Sequence, residues 1–143
     1  MTTFDDRRRA GGPMEQLIGE WLTEQGIEWA PWGYGHAGCD TDPDIAILGD
    51  PLSPVPTAFI DVKTTLNPSA PRISVSFGAV QHYRALRQRV FVVWADLGGV
   101  LRYRRATEFA PRADRDGSAG GSGLPFFLVP KSHGHVLTRA VLL

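Results

Sequence analysis

Cysteine occurs once, at Cys39, so no disulfide can form within the chain. Lysine is nearly as scarce: 13 of the 15 basic residues are Arg, and only Lys63 and Lys131 are Lys. An excess of either charge is absent too, with 15 basic and 15 acidic residues and a formal net charge of zero. Bulk electrostatics therefore demands no nucleic-acid partner. It excludes none either, because local patches and bound metal ions can supply a positive field. No apolar run approaches the roughly 20 residues of a membrane-spanning helix. The opening MTTFDDRRRAGG is charged and has no apolar h-region, so it does not read as a secretory signal, and the expected location is cytoplasmic. What is present is an ordinary globular mix, 43% hydrophobic and 21% charged over 143 residues, enough for one domain (1–143) with one core. There are no internal repeats.

Residues 1–12 read as a loose, charged lead-in, and Pro13 is placed to open a helix. Met14, Leu17, Ile18, Trp21 and Leu22 then form one apolar stripe at helical spacing. Gly26 is the stop. The stretch IEWAPW reads as a short strand, and GYGHAGCDTDPD as a loop. Residues 45–48 and 58–65 read as two strands joined by a Pro-rich turn, a hairpin. ISVS (73–76) is a further short strand or a helix entry. Residues 78–89 have a helical pattern, and the apolar run 90–97 fits a buried strand of a mixed or parallel sheet. VLRYRRATEF suggests a strand entering a short helix near 106–109. Residues 111–123 read as flexible, and 124–143 as a tail of strands, or of a strand and a helix. The order helix, strand, strand, strand, helix, strand gives an α/β domain with its core at about 11–97. No Gly-rich turn follows the first strand, so a Rossmann unit is not expected.

Two segments raise a chemical question. PDIAILGD (43–50) and FIDVKTT (59–65) are strand-like and apolar, yet they carry Asp44, Asp61 and Lys63. Side chains alternate along a strand, so Asp61 and Lys63 point to one side and Val62 to the other. If the two strands pair, Asp44 comes near Asp61. Two adjacent carboxylates repel, and one tends to take up a proton. A divalent cation removes that conflict, and Mg²⁺ prefers one or two carboxylates with waters and substrate phosphates. The Val62 carbonyl is a further possible ligand. Metal-activated water is a better nucleophile at neutral pH. Lys63 could orient it or neutralise charge on phosphorus. Two acids, a lysine and a metal make a phosphodiester-cleaving site.

Pro43-Asp44, a 16-residue spacing and Asp61-Val62-Lys63 also resemble the motif of the PD-(D/E)XK nuclease superfamily, over roughly residues 11–97. The resemblance implies a restriction-endonuclease-like αβββαβ core with a mixed central sheet flanked by helices. It implies Mg²⁺- or Mn²⁺-dependent cleavage of nucleic acid, with Asp44 and Asp61 as metal ligands and Lys63 as the catalytic lysine. Many members also carry a Glu on the first helix. Among Glu15, Glu20 and Glu24, we take Glu15, at the edge of the apolar stripe, with Glu20 second. Gly11-x-x-x-Glu15, with Gly26 eleven residues on, resembles the opening of the archaeal-type Holliday junction resolvases within the superfamily. Gln81 resembles a glutamine kept near the site in many members, where it would contact a metal-bound water or a phosphate.

Weaker signals surround this constellation. Arg102 and Arg104 share one face of a strand that either meets phosphates or is a solvated edge. Arg72, Lys131 and the loop residue His36 are further candidates for nucleic-acid contact. Trp29, Trp32 and Tyr34 could stack on bases, but packing is the favoured role. His36, Cys39, His133 and His135 lack the spacing of a zinc site.

The reading is an endonuclease acting on DNA. A 143-residue domain with no separate DNA-reading module suggests selectivity for a junction, flap, end or mismatch. A homodimer would present two sites to two strands. Two alternatives stand beside it, a non-catalytic nucleic-acid-binding or assembly module and an RNA-cleaving relative.

Overall fold

The computed structural model describes residues 4–32, 43–49, 52–53, 55–109, 115–116 and 126–143. The chain opens with helix α1, Phe4–Glu24. It starts nine residues before Pro13, where a loose lead-in was expected. Pro13 removes one helical hydrogen bond but does not end the helix here, and Arg7, Arg8, Arg9 and Ala10 before it are good helix formers. The expected stop at Gly26 is observed. Gly26 takes φ +73°, its N–H donates to the Thr23 carbonyl, and the Ile27 N–H donates to the Leu22 carbonyl. This pair of bonds closes a helix end through a left-handed residue. Ile27 and Leu22 then enter the same core.

Strand β1 (Trp29–Pro31) pairs antiparallel with β2 (Ile45–Ile47), and β2 with β3 (Ala58–Val62). The expected hairpin is therefore present, with Ile45 opposite Ile60 and Ile47 opposite Ala58. Strand β4 (Arg72–Ser76) leads into helix α2 (Phe77–Ala85), where the Ser76 hydroxyl accepts the Ala79 N–H at 3.0 Å and caps the first turn. α2 stops four residues before the expected end, at a cap on Leu86. Strand β5 (Arg89–Ala95) lies parallel to β3, and β6 (Leu101–Arg105) antiparallel to β5. A 3₁₀ turn follows at Ala106–Glu108. Arg115–Asp116 forms a short strand, β7, inside the segment expected to be flexible; the rest of 111–123 lies outside the described residues. The tail supplies β8 (Phe126–Pro130), β9 (His135–Val136) and helix α3 (Arg139–Leu142).

The main sheet has the order β1-β2-β3-β5-β6-β9. It is mixed: β3 and β5 are parallel and every other pair is antiparallel. One face presents Ile45, Ile47, Ile60, Val62, Phe91 and Val93 to Ile18 and Leu22 of α1. The other face presents Ala46, Phe59 and Val90 to Ala79 and Tyr83 of α2. Farther along, Val92 and Trp94 pack on a second, three-stranded sheet of order β4-β8-β7. β4 is thus not a member of the central sheet. Its alternation buries Ile73 and Val75 against β8, more than 50 residues away in the chain.

Candidate active site

The β2–β3 register has Ile45 opposite Ile60, and one residue further on it sets Asp44 opposite Asp61. The backbone continues that pairing, because the Asp44 N–H donates to the Ile60 carbonyl at 3.0 Å. Asp44 Oδ2 accepts the Val62 N–H at 2.7 Å, so the carboxyl is held against the end of β3. Alternation places Phe59, Asp61 and Lys63 on the α2 face of the sheet, opposite to Ile60 and Val62. The expected shared side of Asp61 and Lys63 is seen directly: Lys63 Nζ lies 3.1 Å from Asp61 Oδ2.

This cluster is poorly solvated. Asp61 is 3% exposed although it sits in a strand buried along its whole length. Among the described residues its Oδ2 accepts no hydrogen bond, and Lys63 meets it as an ion pair. Asp44 is pushed up to about 9. Burial is the largest cause, followed by the charge of Asp61 and a hydrogen bond with it; the Val62 N–H pulls the other way. The pair therefore tends to keep one proton at neutral pH. A buried oxygen lacking a hydrogen bond, beside a carboxyl that cannot ionise freely, is a donor set suited to a hard cation. Among the described residues, no three His, Cys, Asp or Glu side chains converge into a complete metal cage. Two carboxylates with waters and a substrate phosphate suffice for Mg²⁺.

The remaining expected site residues fall in different places. Glu15 is on α1, and its charge adds to the upward push on Asp44. Gln81 is on the exposed side of α2, whose buried residues are Ala79, Val80 and Tyr83, and among the described residues its side chain makes no hydrogen bond. Arg72 is exposed at the start of β4 and lines a cleft of about 500 Å³ with Asp96 and Lys131. Arg102, expected at a phosphate, is used internally: its Nε meets Asp96 Oδ2 at 2.7 Å and its Nη1 donates to the Gly134 carbonyl. Arg104 donates to the His133 carbonyl and covers the Phe109 ring at 5.8 Å.

Lys131 is not a surface cation. It is 5% exposed, and its ammonium donates to the Thr65 hydroxyl at 2.9 Å and the Pro68 carbonyl at 3.3 Å. Burial pushes its pKa down. It ties the segment after Lys63 to the β8 end. His36, Cys39 and Tyr34 lie outside the described residues. His135 pairs with Glu108 at 2.6 Å. Trp29 has a packing role, its Nε1 donating to the Thr23 hydroxyl on α1.

Sequence reasoning gave no special place to Phe59 or Val55. Phe59 lies on the same face as Asp61, two residues away, and together with Trp32, Pro43 and Val55 it lines a cleft of about 450 Å³. The available signal was the period of two that puts Phe59 beside Asp61.

No family model and no curated protein matches the chain. Among solved structures it is similar to D212, a nuclease from a fusselovirus, with a TM-score of 0.58 at 16% sequence identity, over 98% of this chain and 91% of that one. At this identity the likeness speaks for the fold. The mixed sheet flanked by helices is the restriction-endonuclease-like architecture that the motif implied.

Proposed function

We propose that this protein is a divalent-metal-dependent nuclease of the PD-(D/E)XK type that hydrolyses phosphodiester bonds in DNA. The observation that carries the proposal is the cross-strand pair Asp44 and Asp61, closed on one side by Lys63 at 3.1 Å. The fold shared with a viral nuclease supports it. Asp44 and Asp61 would hold Mg²⁺ or Mn²⁺, with the Val62 carbonyl and Glu15 completing the protein ligands. The ion supplies Lewis acidity and charge neutralisation at the phosphate. The chain's own groups do the positioning. The Val62 N–H fixes the Asp44 carboxyl, and Asp44 must give up its proton before it can serve as an anionic ligand. Lys63, half-buried and facing Asp61, is placed to stabilise negative charge growing on phosphorus. Gln81 and Arg72 would approach the nucleic acid from α2 and β4. A small domain of this kind suits structure-selective cleavage at junctions, flaps, ends or mismatches, and a cytoplasmic homodimer is the expected working form.

The test is cleavage of labelled single-stranded, duplex, flap, four-way-junction and RNA substrates with Mg²⁺, Mn²⁺ or EDTA. Asp61→Ala and Lys63→Ala run beside the wild type, with folding checked by circular dichroism. The expected result is metal-dependent cutting of DNA that falls by about 10²–10³-fold or more in each variant. Cutting that persists unchanged in both folded variants sinks the assignment. One observation favours a second reading: the Lys63–Asp61 ion pair compensates a charge without any cation. A non-catalytic nucleic-acid-binding module would bind the same substrates and cut none.

A further inference from the structure

The cleft of about 450 Å³ beside the carboxyl pair is unlike the pair itself. Its walls are apolar and aromatic: Trp32, Pro43, Val55 and Phe59, with His82 and Gln88 offering polar atoms. Among the described residues, none that lines it carries a carboxylate. The volume falls in the ordinary range for small-molecule sites. Trp32 and Phe59 stand 5.3 Å apart between ring centroids, tilted by 51°. Even so, Trp32 keeps 40% of its surface exposed and Val55 59%. A ring that only filled the core would not remain so open. Two of its lining residues are chain neighbours of the candidate site. Pro43 immediately precedes Asp44, and Phe59 and Asp61 share a face, about 7 Å apart along the strand. The larger cleft past β5 offers no such match, because Lys131 is engaged internally and Asp96 brings a carboxylate.

We infer that this cleft takes one unpaired nucleobase, stacked on Trp32 beside Phe59, while the phosphate of that nucleotide lies at Asp44, Asp61 and Lys63. The inference rests on reading that pair as a phosphodiester site, and it names the substrate class. A base inside a duplex is stacked on its neighbours and cannot enter; a bulged, flapped or mismatched base enters at little unstacking cost. Stacking on an aromatic face tolerates every base, so the selectivity is for an unpaired nucleotide at the cut and not for a sequence. The His82 ring and the Gln88 amide then meet the exposed edge of the base.

The experiment is equilibrium binding of the full chain, in EDTA and at low ionic strength, to three fluorescein-labelled DNAs of one sequence: a perfect duplex, a duplex with one bulged nucleotide, and the same bulge lacking its base. EDTA separates binding from cutting, and low salt preserves phosphate contacts. The wild type is expected to bind the bulge about tenfold more tightly than the baseless bulge. Trp32→Ala abolishes that ratio, and Trp32→Phe restores most of it. Equal affinity of the wild type for the two bulges overturns the inference. So does a Trp32→Ala loss that is the same for all three DNAs, and so does a failure to bind any of them. Cleavage in Mg²⁺ is scored separately. Cutting without base discrimination removes this inference and leaves the nuclease reading in place, whereas base discrimination without cutting keeps the base in the cleft and removes the catalytic reading of the carboxyl pair.

Discussion

Asp44 holds a proton at neutral pH in the metal-free protein because it is buried against Asp61, and this has a cost in stability. A carboxyl raised from its ordinary value to about 9 favours the folded state in full only while it is protonated in both states. Its contribution is complete below about pH 4, where the unfolded chain is protonated as well, and is lost as pH rises towards 9. Asn at position 44 mimics the protonated form: its carbonyl still accepts the Val62 N–H, and its amide can donate to Asp61. Asp44→Asn is therefore expected to stabilise the metal-free protein by about 1–3 kcal/mol at pH 8 and by much less at pH 4. Urea unfolding in EDTA at the two pH values measures this, and a variant weaker than the wild type at pH 8 contradicts the account. The site was legible at this scale because a β-strand repeats every two residues. Asp61 and Lys63 had to share a side, and a hairpin had to bring Asp44 across. Lys131 was misread for a related reason. A lysine near a Gly-containing tail looks solvated in sequence, and only the arrival of Thr65 and the Pro68 carbonyl shows that it is buried.

At the scale of elements, α1 and β1 meet through a glycine. A Cβ on Gly19 would lie 2.5 Å from two carbons of the Trp29 ring, which the Thr23 hydroxyl holds in place. Replacing a helical glycine with alanine ordinarily stabilises by up to about 1 kcal/mol. Here the sign reverses, and Gly19→Ala is expected to cost about 1–3 kcal/mol by overpacking. Thermal unfolding decides it: a raised melting temperature refutes the close approach. A second element-scale prediction concerns the segment after Lys63, which Lys131 pins. Lys131→Met keeps the aliphatic stem and removes a buried charge that meets no carboxylate among the described residues, so it should be more stable than Lys131→Ala by about 1 kcal/mol or more. Equal stability of the two variants places the value of Lys131 elsewhere. Elements with a local code were readable: the Gly26 stop and the period of two that puts Asp61 and Lys63 on one side of β3. The start of α1 was not, because a proline that suits the first turn of a helix stands inside this one.

At the scale of the whole molecule, cation binding and folding are linked. If the carboxyl pair takes Mg²⁺ or Mn²⁺, the ion binds the folded chain and not the unfolded one. At ten times the dissociation constant that is worth about 1.4 kcal/mol, or a rise of roughly 3–6 °C in melting temperature. The ion must displace the Asp44 proton, so the rise grows from pH 6 to pH 9. Differential scanning fluorimetry of the wild type and Asp61→Asn checks it. A rise that is equal in both proteins, or flat with pH, means that the cation binds elsewhere.

Two strands, one turn between them and alternating side chains, all readable along the chain, set Asp44, Asp61 and Lys63 together. Nothing local foretells that β4 leaves the central sheet for β8, that Lys131 is buried, or that Trp32 packs beside Phe59. The physical reason is range. Periodicity reports which face of an element is apolar, but not which distant element will cover that face. That choice is made by packing the whole chain against itself.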